Sequence, residues 1–518
     1  MSEDWTDPQS LSAPSAVSAV TGSDPAGEAG PAPPTGRRRW IIVIAVQLGI
    51  FLAALDGTII NTAMPTVVAS LGGLGLYSWV FAVYMLASTT SLPVFGRLSD
   101  VLGRKNLFLI AIAIFVVGAA GSGLSGTMVQ LIAARGVQGL GAGGIFALSQ
   151  AIFGDIFPPE ERGRMQGYLT TVWAVASLTG PITGGLVVDH LGWRWAFFLS
   201  LPLGTGAFFM ILRALTGSVS AGGRQPIDYP GAAILVAGVL GMLLGLFEAG
   251  KHGRCAEPSV LGLLTLAAGA AAAFIWRERR APAPILPLTL FLRPTFRIAV
   301  AGSLLAGMAM FGASAFIPLF VQGARGGSAL RAGSVLTPAS LGWSIGNAGT
   351  GRLVNRIGYR WTMLIGTGCM AAAYLFLVRL GPATTLTGLS LAGLVLGIGM
   401  GANSMSAVLG SQHLVPRSEL GIAVTTPFFF RNLGGTIGVS LMGTILTARL
   451  GPLARALRQP PGGQGASGPF ALAADPALQA AIADGLSAAF AVGLVASALN
   501  VALTFAMPDT SPTRPEAA

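Results

Sequence analysis

An aspartate at position 56 stands within Leu55-Asp56-Gly57-Thr58-Ile59-Ile60-Asn61-Thr62-Ala63-Met64-Pro65, inside an apolar run that opens just after Arg37-Arg38-Arg39. A charged carboxylate at the centre of a bilayer costs about 2.5–3.5 kcal/mol on insertion scales, so an acid placed there points to an ion path or a proton relay. A second charge, Arg135, falls inside the fourth apolar run. A guanidinium keeps its proton and must find an acceptor, and Asp56 is the acceptor to expect. If the two meet, a proton or a cationic substrate competes with Arg135 for the carboxylate. The structural alternatives are an Asp56 that only hydrogen-bonds a neighbouring helix and an Arg135 that snorkels toward the surface. Among the other intramembrane residues, Asn61, Gln138, Trp173 and Trp343 are candidates to line a substrate cavity, as amide donors and as flat apolar surfaces. Arg431 and Asn432 either line it too or join helices together. Glu248 is a second candidate for the proton.

Other chemistries lack their residues. Gly139-Leu140-Gly141-Ala142-Gly143-Gly144 satisfies G-x-G-x-x-G, but a dinucleotide site needs a preceding strand, and this run lies in an apolar helix. No G-x-x-x-x-G-K-[ST] occurs, so an ion gradient is the expected energy source. His190, His252 and His413 show no metal-ligand spacing with one another or with the two cysteines, so neither metal nor cofactor is expected. Asp189-His190 has no placed nucleophile and reads as the end of a helix, so the chain is not expected to be an enzyme. Cys255 and Cys369 fall at different expected depths and are not expected to pair.

The elements that must hold these residues follow from composition. Of the 518 residues, 53% are hydrophobic and 10% charged, and the mean hydropathy is +0.70, which is a polytopic membrane protein. A spanning helix needs about 20 apolar residues, and the chain offers fourteen such runs. The runs do not alternate in polarity as barrel strands do, so the expected class is all-α. Most of the 31 basic residues fall on one side if the N-terminus is inside. By the positive-inside rule both termini are then cytoplasmic, in a plasma membrane. The net charge of +11 is accounted for by topology and attraction to anionic lipid, with no call on nucleic acid.

Residues 1–36 are rich in Pro, Ser, Ala and Gly and are expected to be a disordered cytoplasmic tail rather than a secretory leader. A polar stretch around 217–227 reads as a linker, and so does the segment from 451 to about 484, which contains Pro-Pro-Gly-Gly. Between the second and third runs stands Gly96-Arg97-Leu98-Ser99-Asp100-Val101-Leu102-Gly103-Arg104-Lys105. An echo, Gly351-Arg352-Leu353-Val354-Asn355-Arg356-Ile357-Gly358-Tyr359-Arg360, lies between the tenth and eleventh. Gly103 and Gly358 permit the positive φ of a tight turn. Asp100 can accept from a helix N-terminus or pair with Arg97 or Arg104, and such bonds would latch one conformation. Repeated halves are how secondary transporters are built.

These residues resemble the major facilitator superfamily, in particular its fourteen-helix drug:proton antiporters, from about Trp40 to about Gly443. The decapeptide at Gly96 is similar to motif A of that superfamily, and Leu55 to Pro65 to the first-helix motif of the fourteen-helix exporters. Arg135-Gly136-Val137-Gln138-Gly139-Leu140-Gly141 is similar to motif B. Gly180-Pro181-Ile182-Thr183-Gly184-Gly185 is similar to the antiporter motif C, which in the family is read as limiting leak. Asn355 departs from motif A at the position Asp100 occupies in the first half, and a neutral amide cannot give the same charge-assisted bond.

The resemblance implies an N-terminal six-helix bundle at 37–216, a linker with two extra helices at 217–282, a C-terminal six-helix bundle at 283–506 and a cytoplasmic tail at 507–518. It implies a proton-coupled antiporter exporting amphipathic, aromatic or cationic drugs. Asp56 and Arg135 would couple the proton, and Gly96, Asp100, Gly103 and Arg104 would form a conformational latch. Gly180, Pro181, Gly184 and Gly185 would form the antiporter motif, with Pro181 kinking its helix. The partners expected are the drug, protons and lipid, and the chain is expected to act as a monomer. An importer of the same fold coupled by symport, or a membrane sensor that moves nothing, are the other readings of the same residues.

Overall fold

The computed structural model describes residues 36–157, 162–215, 228–252, 257–281, 288–381, 383–413, 420–456 and 476–508. The N-terminal tail up to residue 35, the linker at 217–227, Cys255 and the Pro-Pro-Gly-Gly segment lie outside them, as do the side chains of Arg97 and Asp100.

Among the described residues the chain is helical and has no strand, as continuous apolar runs without alternation dictate. The helices are α1 (Gly36–Leu71), α2 (Tyr77–Leu102), α3 (Arg104–Leu124), α4 (Met128–Ile156), α5 (Arg162–Leu191), α6 (Trp193–Phe198) and α7 (Ser200–Ala214). There follow α8 (Tyr229–His252), α9 (Pro258–Glu278), α10 (Pro294–Leu319), α11 (Ala329–Leu377), α12 (Leu386–His413), α13 (Leu420–Ala456) and α14 (Pro476–Phe505). Among the described residues, eleven helical segments are long and apolar enough to cross a membrane, with α6 and α7 together forming one of them. The 49-residue α11 holds the tenth and eleventh apolar runs and turns between them at Gly358 (φ 81°, ψ 174°). Gly103 (φ 82°, ψ 139°) makes the corresponding turn between α2 and α3. These two positive-φ positions are the ones the echoed decapeptides supply.

Helices α1 to α7 pack on one another, α10 to α14 do the same, and α8 pairs with α9. The two large groups meet where α5 touches α11, α2 touches α13 and α1 touches α10; α8 lies against α2 and α13. One end of this arrangement carries the turns at Gly103 and Gly358 and is called the near end here. The far end carries the close of α5, the start of α2 and the start of α11.

Small residues set how closely the helices approach, as expected where lipid supplies no hydrophobic drive for association. A Cβ on Gly139 would lie 2.5 Å from the carbonyl of Tyr84 in α2, and one on Gly143 would run into Ser88 of the same helix. On the other side of α4, Gly141 lies on the backbone of Phe115 in α3, and Gly144 sits between Ala111 of α3 and Phe95 of α2. The G-x-G-x-x-G run is therefore a packing surface that holds α4 against two neighbours. Large apolar side chains such as Val117, Leu124, Leu266 and Trp276 point outward, the surface that a hydrocarbon solvent requires. Helix α5 runs without a break through Pro181 to Leu191.

Near the start of α8, Asp228 is buried and accepts from Gly231 N at 3.1 Å and from Arg277 Nε of α9 at 3.0 Å. One carboxylate thus caps one helix and ties it to the next.

Candidate functional site

Arg135 and Gln138 stand three residues apart on α4 and so share a face. Packing α4 against α1 aims that face at Asp56. Arg135 Nη1 donates to Asp56 Oδ2 at 2.6 Å and to Gln138 Oε1 at 2.8 Å, and Gln138 Nε2 donates to Asp56 Oδ1 at 2.8 Å. The guanidinium carbon lies 3.9 Å over the ring centroid of Tyr84, a cation–π contact from α2. Asp56, Arg135 and Gln138 are 3%, 1% and 0% exposed.

A charge pair withdrawn this far from water is tolerable only when its geometry is good and its remaining valences are filled. Here the ionic bond and the amide use both donors of Arg135 Nη1 and the Tyr84 ring takes the face of the guanidinium, while Arg135 Nε has no hydrogen-bond partner among the described residues. Both carboxylate oxygens of Asp56 act as acceptors. A proton on Asp56 would remove its charge and turn one of these acceptors into a hydroxyl, which weakens the charge-assisted bonds that Arg135 and Gln138 make to it.

Beside it lies a cavity of about 200 Å³ between the two helix groups. That exceeds the roughly 150 Å³ of an engineered cavity that admits benzene. Asn61, Tyr84, Arg135 and Trp173 line it from the first group, and Trp343, Phe428, Arg431 and Asn432 from the second. Trp173 and Trp343 meet edge to face across the divide, with centroids 6.3 Å apart. Asn347 orients Trp343: in the amide orientation that satisfies its neighbours, its oxygen accepts from the indole Nε1 at 2.9 Å and its nitrogen donates to Gly401 O at 3.1 Å. Arg135 is among the residues that line this space and Asp56 is not. Gln138, a cavity candidate from sequence, is instead part of the ion-pair cluster, and Glu248 on α8 is not in the lining.

The far end is closed. Gln322, on a π-helical turn after α10 (Phe320–Ala324), donates to Thr62 O at 2.9 Å and accepts from Thr66 Oγ1 at 3.1 Å. Tyr77 donates to Ala315 O at 2.5 Å. Asp189, at the end of α5, accepts from Ala329 N at 3.0 Å and Leu330 N at 2.9 Å, capping α11 from across the divide. The motif at Gly180 makes this closure geometrically possible. Gly180 seats Thr58, and Gly184 seats Thr62 and Ile59, which brings α5 onto α1. A Cβ on Gly185 would lie 2.5 Å from Leu330 Cα, and one on Gly333 would run into the Pro181 carbonyl.

At the near end, Arg104 donates to Ala151 O at 2.5 Å, tying the start of α3 to α4 within one helix group. Gly96 sits inside α2, where its carbonyl accepts from Ser99 Oγ at 2.5 Å. Sequence reasoning did not single out Tyr84 or Gln322, and it set Asp189 aside as a helix end. A polar residue inside an apolar run was the available signal for Gln322, and an acid closing one span where the partner's helix begins was the signal for Asp189.

The architecture and the motifs have counterparts in known proteins. The profile of the Major Facilitator Superfamily matches residues 46–439. The chain is 35% identical over 418 residues to the Multidrug transporter protein MdtP of Bacillus subtilis (strain 168), covering 80% of this chain and 77% of that one. It is 35% identical to Multidrug resistance protein 3 of the same organism, over 78% of this chain and 79% of the other. Among solved structures, a bacterial homologue of the human lysosomal transporter Spinster, in an inward-facing and unoccupied conformation, aligns with a TM-score of 0.64 at 16% identity, covering 93% of this chain and all of that one. An all-helical fold with paired glycine turns, a buried ion pair and a cavity between two helix groups thus coincides with a profile match over most of the chain, and the chain belongs to the Major Facilitator Superfamily.

Proposed function

We propose that this chain is a proton-coupled antiporter that exports amphipathic drugs from the cytoplasm. The observation that carries the reading is the Asp56–Arg135–Gln138 cluster placed directly behind the wall of an aromatic cavity. A titratable group at that position changes its bonding when it takes a proton, and it does so beside the space a drug would occupy. The names of the relatives, a multidrug transporter and a multidrug resistance protein, support a drug as cargo.

In this reading the near end, with its arginine-rich turns, faces the cytoplasm, and both termini lie there. The fourteen spans are α1 to α5, α6 with α7, α8, α9, α10, the two arms of α11, and α12 to α14. The bundles keep the limits 37–216 and 283–506, with α8 and α9 between them. The far-end-closed form, with Asp56 ionised, is the one that loads drug from inside. Opening of the far end releases drug and lets Asp56 take a proton, which removes its charge and weakens its bonds to Arg135 and Gln138. Return to the closed form delivers that proton to the cytoplasm. Asp189, Gln322 and the glycines of α5 close the outer gate between turns of this cycle.

The test is efflux of a panel of fluorescent amphipathic dyes, of either charge, from oriented vesicles under an imposed proton gradient. The native chain drives gradient-dependent efflux of at least one dye. Asp56→Asn, which keeps an acceptor for Arg135 but cannot cycle a proton, binds the same dye and loses the gradient-driven component. Normal gradient-driven transport by the variant would move the proton site elsewhere, with Glu248 next to test. Flux of dye only down its own gradient in both proteins would remove the antiport reading.

A further inference from the structure

Arg431 has no role in the cycle above, and its surroundings are unusual for a half-buried cation within an apolar helix. It lies in α13, eleven residues past the start of the helix at Leu420, and faces the cavity from the second helix group. Its guanidinium makes no hydrogen bond or ion pair to any described residue, and its Nε is buried with no partner. What holds it is aromatic: the guanidinium carbon is 4.6 Å from the ring centroid of Phe428 and 5.9 Å from that of Trp343. A guanidinium carries five N–H donors and does not lose its proton in proteins. Two rings take its face and none of its donors, and donors lie in the plane of the group, around its rim.

The charge of the cavity wall points the same way. Among the residues that line the cavity, the charged ones are Arg135 and Arg431, and no carboxylate is among them. Asp56 neutralises Arg135 from behind, which leaves Arg431 as the uncompensated charge on the wall. A cationic ligand would meet two guanidinium groups and no accessible counter-charge. An anion would meet an unfilled set of donors beside two aromatic rings, with the amide of Asn432 and the hydroxyl of Ser340 in the same lining. Sequence reasoning expected aromatic or cationic cargo; the wall of the cavity carries the same sign as a cation and would repel it.

We infer that Arg431 is the residue that selects cargo by charge, and that the preferred cargo is an aromatic acid, a flat apolar body bearing one carboxylate or sulfonate. The acidic group accepts from the rim of the Arg431 guanidinium in a paired, charge-assisted geometry. The ring system lies against Trp343 and Phe428 and reaches toward Trp173. This deepens the drug-transport reading and rests on it for the claim that the bound acid is cargo. It does not depend on the direction of proton movement.

The experiment uses the full chain in lipid nanodiscs and three probes of nearly equal shape: 1-pyrenebutyric acid, its methyl ester and 1-pyrenebutylamine. Binding is read as energy transfer from protein tryptophan to pyrene, with empty nanodiscs subtracted. The native chain binds the acid about tenfold or more tightly than the ester, the ratio expected for a charge-assisted hydrogen bond lost to a neutral isostere, and binds the amine most weakly. Arg431→Gln reduces the acid-to-ester ratio to about twofold or less and leaves ester binding in place, which also shows that the variant is folded. Arg431→Lys keeps a preference for the acid. If the native chain binds ester or amine as well as the acid, the inference is wrong, and this comparison needs no variant. An intact acid preference in Arg431→Gln overturns it as well. Vesicle efflux of the same three probes separates the two readings. Acid bound through Arg431 but never moved leaves the site standing and ends the exporter reading. Amine or ester exported while the acid is neither bound nor moved leaves the exporter standing and ends the site.

Discussion

Alanine at Gly185 is predicted to prise open the far end of the molecule. The added Cβ would lie 2.5 Å from Leu330 Cα and 2.8 Å from both Ala329 O and Leu330 N, against 3.4 Å where ordinary contact begins. The helices must therefore part by the difference, about 0.9 Å. All three obstructing atoms belong to the backbone of α11, so no side-chain rotation relieves them and no trimming of Leu330 rescues the variant. Overpacking of this kind costs about 1–3 kcal/mol. The contact exists only while α5 and α11 touch, so the penalty falls on the far-end-closed form and leaves an open form untouched. A differential of that size moves the equilibrium about 5- to 150-fold toward the open form. Spin labels at His190 and Ser334, both exposed and on opposite sides of the contact, report the separation by pulsed dipolar spectroscopy in a Cys255→Ser, Cys369→Ser background. The expected result is growth of a longer-distance population in Gly185→Ala at unchanged helix content. A distance distribution identical to that of the parent, in folded protein, would refute the idea that this glycine sets the closure.

Three further outcomes follow from other contacts. Asp189→Asn keeps an acceptor at the cap of α11 but loses its charge, and the same spin-label pair should register a smaller shift toward the open form, worth about 0.5–1 kcal/mol; a shift as large as that of Gly185→Ala would mean the carboxylate does more than cap. Gly143→Val drives a branched side chain into Ser88 and Ser91 of α2, and should lower thermal stability in detergent by the equivalent of about 3 kcal/mol or more, measured by the loss of monodisperse protein on heating. Asp228→Ala removes both the cap of α8 and the partner of Arg277; hydrogen exchange should rise at the start of α8 and in α9, while binding in the central cavity stays unchanged.

The residues also show where reading a sequence stops. Run length and composition determined the helical membrane class, because a chain in hydrocarbon must satisfy its backbone within each segment, and that demand is local. The turns at Gly103 and Gly358 were legible for the same reason, since a positive φ is a property of one residue. Asp56 and Arg135 could be matched because an apolar interior offers a buried charge few partners, and the two meet at 2.6 Å. Periodicity along one helix says which residues share a face, but not which way that face turns in the assembled bundle. Only the packing of α4 against α1 put Gln138 on the carboxylate rather than in the cavity, and only the packing of α2 laid Tyr84 over the guanidinium. The cap that Asp189 makes on α11 and the bond that Gln322 makes to α1 join residues more than 130 positions apart. The same is true of the sign of the cavity wall: the sequence contains Asp56, Arg135 and Arg431 alike, but the rotation of the helices about their axes hides the acid behind one arginine and turns the other inward. Those rotations are set by small residues and backbone contacts between distant segments, and that information exists only once the helices have packed.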